Sequence, residues 1–184
     1  MDYFHDDVYG FSQGDFFSLY KNVIDRAESG SHFVEVGTFL GKSAVYMAVE
    51  IINSGKNIKF DCVDHWLGSE EHRDNKNVNV DTLYEDFIKN IEPVKGVINP
   101  IRMSSVDASF LYEPNSLDFV FIDASHDVNS VKADLASWMV RVKENGIIAG
   151  DDIRSSGVSE AVSWFFDTTK LEIIGRQWMV DLGQ

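Results

Sequence analysis

Acids and small polar residues stand at the ends of four short apolar runs in this 184-residue chain. Phe33 to Val36 leads past Glu35 to Gly37, Ile58 to Asp64 ends on Asp64, Ser116 to Asp123 ends on Asp123, and Ile147 to Asp152 ends on Asp151 and Asp152. A carboxylate at such an end can accept two hydrogen bonds from ribose hydroxyls, and Asp64 stands about one βαβ unit after Gly37. Asp123, Asp151 and Asp152 would repel one another if left unpaired, and oxygen ligands of this kind suit Mg²⁺ or Ca²⁺. The plainer reading has Asp151 and Asp152 opening a solvated loop and Asp123 capping the next helix. His126, three residues past Asp123, is a general base near neutral pH if the acids form a site, and an ordinary surface histidine if they do not. Ser104-Ser105-Val106-Asp107 supplies polar groups able to reach a nucleobase edge. It also reads as a helix start, with Ser104 as cap and Asp107 at the third helical position. Both readings can hold at once.

The elements that must position these groups begin with Glu35 to Ser43. An apolar strand runs into a turn holding Gly37, Thr38 and Gly41, and then into a helix opening at Lys42-Ser43. Such a unit places free helix N–H groups and a closely approaching backbone beside a ligand. It is not a dinucleotide fingerprint, because Phe39 and Lys42 occupy two of the glycine positions, and the glycine spacing is too short for a P-loop. Helical periodicity predicts a helix capped by Asp15 and carrying Phe16, Leu19, Tyr20, Val23 and Ile24, a helix over 42–53, and one carrying Leu83, Phe87 and Ile91. Further helices are expected over 105–111, with Val128, Val131, Leu135, Trp138 and Val142 on one face, and with Val158, Ala161, Val162, Phe165 and Phe166 on one face. Strands are expected at 32–36, 58–64, 97–103, 116–123 and 147–152, with a closing pair at 171–174 and 178–181. Alternating strands and helices predict an α/β fold with a doubly wound, mostly parallel sheet, helices on both faces and ligands beyond the carboxyl ends of its strands.

Composition narrows the partners. Apolar residues make up 44%, charged residues 25%, and the formal net charge is −14. An acidic surface without a basic patch argues against nucleic acid and against anionic membranes. Cys62 is the single cysteine, the first residues lack a basic start and apolar run, and no run is long enough to span a bilayer. A single cytoplasmic domain over 1–184 is expected, with an arm and helix over 1–30 and a core over 31–165. Residues 66–79 are a polar stretch of lid type. The aromatic arm residues Tyr3, Phe4, Tyr9 and Phe11 could pack on a second subunit, which leaves a homo-oligomer open.

Taken together, these segments resemble the class I S-adenosylmethionine-dependent methyltransferases with a Rossmann-like fold of seven strands. The small-molecule O-methyltransferases related to macrolide-sugar methyltransferases and cephalosporin-hydroxylase-like proteins are the most similar. The matching segments are Val34 to Ser43, Val63 to Gly68, Leu117 to His126 and Asn145 to Asp152. The resemblance implies a methyl donor held at Glu35, Gly37, Thr38, Gly41 and Ser43, with its ribose on Asp64, Trp66 near the adenine and Ser105 at the adenine edge. Asp123 would border both donor and metal. It also implies Mg²⁺ or another divalent cation at Asp123, Asp151 and Asp152, a small-molecule hydroxyl as acceptor, and His126 as base where catechol-type enzymes carry a lysine. Two departures weaken a catechol acceptor: Asp152 replaces an asparagine, and Ala124 replaces a glycine. The alternatives are a metal-independent methyltransferase using His126 alone, and a non-catalytic S-adenosylmethionine-binding protein. A nicotinamide-dependent oxidoreductase is disfavoured by the missing glycine fingerprint.

Overall fold

The structure is a computed structural model that describes residues 1–10, 16–69, 73 and 75–184. Among these residues seven strands form one sheet: β1 (His32–Val36), β2 (Lys59–Asp64), β3 (Ile98–Arg102), β4 (Leu117–Ile122), β5 (Val142–Gly150), β6 (Glu172–Ile174) and β7 (Gln177–Asp181). Their order is β3-β2-β1-β4-β5-β7-β6. The first five are parallel, and β7 runs antiparallel to both β5 and β6. The described helices are α1 (Phe16–Arg26), α2 (Lys42–Ser54), α3 (Leu83–Asn90), α4 (Ser105–Ser109), α5 (Val128–Met139) and α6 (Ser156–Phe165). The expected doubly wound sheet with a closing antiparallel pair is therefore present. No helix among the described residues is long and apolar enough to cross a membrane.

Strand alternation sorts the core onto two faces. Phe33, Phe60, Phe119 and Phe121 pack with α1, α2 and α3, while Val34, Val36, Val120 and Ile122 pack with α4, α5 and α6. Successive side chains on a strand point to opposite faces, so Glu35 must share the face of Phe33 and lie beneath α1 and α2. The sheet order reverses between β1 and β4, and an open α/β sheet binds ligands in the crevice above such a point.

Three expectations are corrected. The helix predicted to carry Val142 stops at Met139, and Val142 opens β5, which runs through Asn145-Gly146 rather than turning there. The register between β4 and β5 shifts between Leu117 and Phe119, so the ladder is irregular where β5 passes Asn145-Gly146. The final helix ends at Phe165, with Phe166 extended beyond it. The N-terminal arm, whose aromatic and acidic sequence reads as a loose arm or part of a lid, is docked on the core. Tyr3 stacks on Tyr46 with ring centres 5.1 Å apart and donates its hydroxyl to Glu50, Phe4 packs against the core, and Val8 is buried. The Asp15 cap, Phe11 and residues 70–72 and 74 of the expected lid lie outside the described residues.

Candidate active site

A cavity of about 900 Å³ opens at the carboxyl ends of β1 to β5. Its depth depends on Gly37, which has φ +88°; a Cβ there would lie 2.1 Å from the backbone oxygen of Asp123. The exits of β1 and β4 can therefore lie side by side only with glycine at this position.

Asp64 organises one end. One carboxylate oxygen accepts the Phe39 N–H at 2.9 Å, and the other accepts the Trp66 N–H at 2.7 Å. Phe39 and Trp66 both hold left-handed backbone, with φ 49° and 50°, a strained state for bulky residues that this carboxylate clamp supports. The Trp66 indole N–H donates to the Phe39 carbonyl at 2.8 Å, and its ring packs on Tyr84 and Phe87. Trp66 is thus chiefly the staple between the loops after β1 and β2. Each Asp64 oxygen keeps an acceptor site for a hydroxyl. Among the described residues, the buried hydroxyl of Thr38, which also lines the cavity, has no hydrogen-bond partner. A buried polar group in that state points to a missing partner such as a ligand.

Glu35 and Gly41 do not line the cavity. Glu35 is buried under α1, where it accepts hydrogen bonds from the Tyr20 hydroxyl at 2.8 Å and the Ser43 hydroxyl at 2.7 Å. Burial raises its pKa to about 7 against the pull of those two hydroxyls, with the Asp64 charge adding to the rise. Gly41, at φ +89°, is the residue before α2, and a Cβ there would meet the Phe87 ring at 3.1 Å. Gly37, Thr38, Ser43, Asp64, Trp66 and Ser105 do line the cavity.

The other end gathers Asp123, His126, Asp151 and Asp152 with Arg176, which the sequence reading missed. One ligand atom each from Asp123, His126 and Asp152 lie within 4.8 Å of one another, an oxygen-rich set that fits a hard cation. Asp151 is not part of that set of three; its Oδ1 accepts the Asp152 N–H at 2.7 Å and the Gln177 side-chain amide at 3.2 Å. His126 Nε2 is 2.7 Å from one Asp152 oxygen, and Arg176 pairs with the other while its Nε lies 3.8 Å from Asp151. Burial, then the neighbouring Asp151 and Asp152, raise the Asp123 pKa well above the carboxylate range. Burial likewise raises Asp151, whereas hydrogen bonding to His126 and then Arg176 lowers Asp152 despite its burial.

The helix after β4 is capped by Asp127, which accepts from the backbone N–H groups of Asn129 and Ser130, so Asp123 is free of that duty. Ser104 caps α4 by accepting from the Asp107 N–H at 3.3 Å. Gly157 of α6 lets that helix approach, since a Cβ there would lie 2.1 Å from the His126 carbonyl oxygen.

Two further residues of the wall had sequence signals of very different strength. Asp134 breaks the apolar face of α5 at helical spacing between Val131 and Trp138, and a buried acid in such a stripe was visible in principle. Arg176 sits in the β6–β7 turn after Gly175, and only the antiparallel pairing of β7 with β5 brings it to the acids.

Residues 34–153 match the family described as methyltransferase domain. The chain belongs to this family. The methyltransferase domain is 29% identical over 150 residues to a Dictyostelium discoideum protein named "Probable caffeoyl-CoA O-methyltransferase 3", covering 80% of this chain and 52% of that one. The chain thus spans about half the length of that curated relative. Among solved structures it is similar to the O-methyltransferase NovP, with a TM-score of 0.65 at 11% identity over 92% of this chain and 80% of the other. It is also similar to a Bacillus cereus O-methyltransferase in complex with SAH, with a TM-score of 0.64 at 17% identity over 92% and 80% of the two chains. These likenesses show the class I methyltransferase fold. Within that fold the domain presents hydroxyl acceptors at Asp64 and a charged cluster at Asp123 to Asp152 along one continuous crevice.

Proposed function

We propose that this domain transfers the methyl group of S-adenosylmethionine to a hydroxyl oxygen of a small molecule, with a divalent cation in the acidic cluster. The observation that carries the reading is a single cavity with Asp64 at one end and the Asp123, His126 and Asp152 cluster at the other. S-adenosylmethionine supplies an electrophilic sulfonium methyl, and a bound cation would lower the pKa of a coordinated hydroxyl. The chain's own residues do the remaining work. Asp64 accepts from the ribose hydroxyls, and the Thr38 hydroxyl meets a polar group of the donor. Asp123 and Asp152 would hold the cation, with Asp151 beside them fixed by its hydrogen bonds from the Asp152 N–H and Gln177. His126 takes the acceptor's proton, and its 2.7 Å contact with Asp152 stabilises the imidazolium that results. Holding donor and acceptor in one crevice supplies the alignment that an in-line displacement needs.

Arg176 favours a second reading, because a cation already pairs with Asp152. In that reading transfer proceeds without metal and His126 is the base. Methylation of a panel of small hydroxyl compounds, assayed before and after exhaustive chelation, separates the two: loss of turnover supports the metal-assisted reading, and unchanged turnover the second. Failure to bind S-adenosylhomocysteine would overturn both.

A further inference from the structure

We propose that Asp134 selects the nucleobase of the bound cofactor, accepting a hydrogen bond from a 6-amino purine and rejecting a 6-oxo purine. The inference rests on the reading that the cavity takes a nucleoside-bearing methyl donor.

Position comes first. The sheet order places β3 beyond β2 on the side away from β4 and β5. Moving along the crevice from the reacting acids, the strand ends offer Asp123, then Asp64, then the Ser105 loop. On the reading that the reacting methyl lies at the acids, a nucleoside held by its ribose at Asp64 carries its base the other way, toward the Ser105 loop. Asp134 reaches that end of the cavity from α5, which packs on α4 through the hydrogen bond from Trp138 Nε1 to the Ser105 hydroxyl at 2.9 Å.

Polarity comes second. The Ser105 oxygen accepts from Trp138, and the Ser105 hydrogen bond to Asp134 favours the carboxylate. Trp138 can only donate, so the Ser105 hydroxyl keeps its own hydrogen for another acceptor, and the Asp134 carboxylate is one. Asp134 is 5% exposed, and no lysine, arginine or histidine pairs with it among the described residues. The charges acting on it are its own burial and the acid Asp127, which together raise its pKa to about 6 against the Ser105 hydrogen bond. It is therefore a buried carboxyl on the cavity wall, with the Ser105 hydroxyl as a partner and no cationic one among the described residues. A buried carboxylate in that condition is costly unless a donor reaches it. A 6-amino group on the bound base is such a donor, while a 6-oxo group would set oxygen against oxygen. Sites built to hydrogen-bond one polar group discriminate strongly against analogues that lack it.

The test is calorimetric titration of S-adenosylhomocysteine and S-inosylhomocysteine into the parent protein, Asp134→Asn and Asp134→Ala. Thermal unfolding confirms that each variant is folded. The parent should bind the adenosyl compound at least tenfold more tightly than the inosyl compound. Asparagine can present either an oxygen or an amide hydrogen to the base, so Asp134→Asn should reduce that ratio at least tenfold; Asp134→Ala should reduce it by weakening the adenosyl compound. Equal binding of the two nucleosides by the parent overturns the proposal. So does an unchanged ratio in a folded Asp134→Asn that still binds the adenosyl compound. A parent that binds neither nucleoside overturns the cofactor reading itself, and the assignment of Asp134 with it.

Discussion

Replacing Arg176 by methionine removes the guanidinium that pairs with Asp152 and lies 3.8 Å from Asp151 while keeping much of the stem's volume. At an effective dielectric constant of about 20, one such pair is worth roughly 4 kcal/mol. The Arg176 side chain is 32% exposed and the Asp152 side chain 22%, so solvent screens the attraction. A loss between the exposed and buried limits, about 2 kcal/mol, is expected. For a chain of this size that corresponds to a fall of about 4–8 °C in Tm. The loss should be seen in EDTA, where three neighbouring carboxylates have lost their counter-cation. Excess Mg²⁺ should restore most of it, because a ligand bound to the folded state stabilises that state by mass action. Differential scanning fluorimetry of both proteins in EDTA and in Mg²⁺ makes the comparison. An Arg176→Met protein that melts within about 1 °C of the parent in EDTA would refute the electrostatic reasoning. A Mg²⁺ shift no larger in the variant than in the parent would refute the claim that a cation and Arg176 answer the same charge.

Other expectations follow from the same geometry. Glu35 holds its proton to about pH 7 in the folded chain against an ordinary value of 4.5, so the unfolded chain releases that proton first as pH rises. Stability should fall across that window by an amount on the order of 3 kcal/mol, and urea unfolding of Glu35→Gln at pH 5 and pH 8 should lack that loss. Asp61 behaves oppositely. Burial pushes it up, but hydrogen bonds from His32, Asn99 and Tyr112 bring it below the usual carboxylate value, so its contribution is present near neutral pH and disappears in acid. Asp61→Asn should accordingly show a weaker decline in Tm on acidification than the parent. Gly37→Ala forces a Cβ to 2.1 Å from the Asp123 carbonyl oxygen. It should lower S-adenosylhomocysteine affinity by tenfold or more in titration calorimetry, even in preparations that remain folded.

The parallel core was legible because its strands are short apolar runs bounded by glycine and acids, and because the helices between them keep a 3.6-residue period. Asp64 and Asp123 were legible as strand ends. Glu35 read as a cavity residue because sequence order gives nearness to a loop, but face is set by alternation, and alternation turns Glu35 under α1. Trp66 read as a residue near the adenine, and it does line the cavity; the sequence did not show that its indole N–H also ties the two loops together through the Phe39 carbonyl. The early start of β5 was hidden because Asn145-Gly146 carries the chemistry of a turn, and these residues lie in the irregular stretch between Val142 and Ile147, the residues that pair with β4. Arg176 could not be found from local pattern, since it reaches the acids through an antiparallel strand far along the chain. Asp134 could have been found, since an acid among Val131, Leu135 and Trp138 breaks an otherwise apolar stripe.

A crystal structure of the protein grown with S-adenosylhomocysteine and Mn²⁺, with anomalous data collected for manganese, tests the central claim most directly. The account predicts the ribose hydroxyls against Asp64 and an anomalous peak between Asp123 and Asp152, with Arg176 moved off Asp152. A crevice that stays empty at saturating S-adenosylhomocysteine, or a nucleoside whose ribose lies away from Asp64, would contradict it.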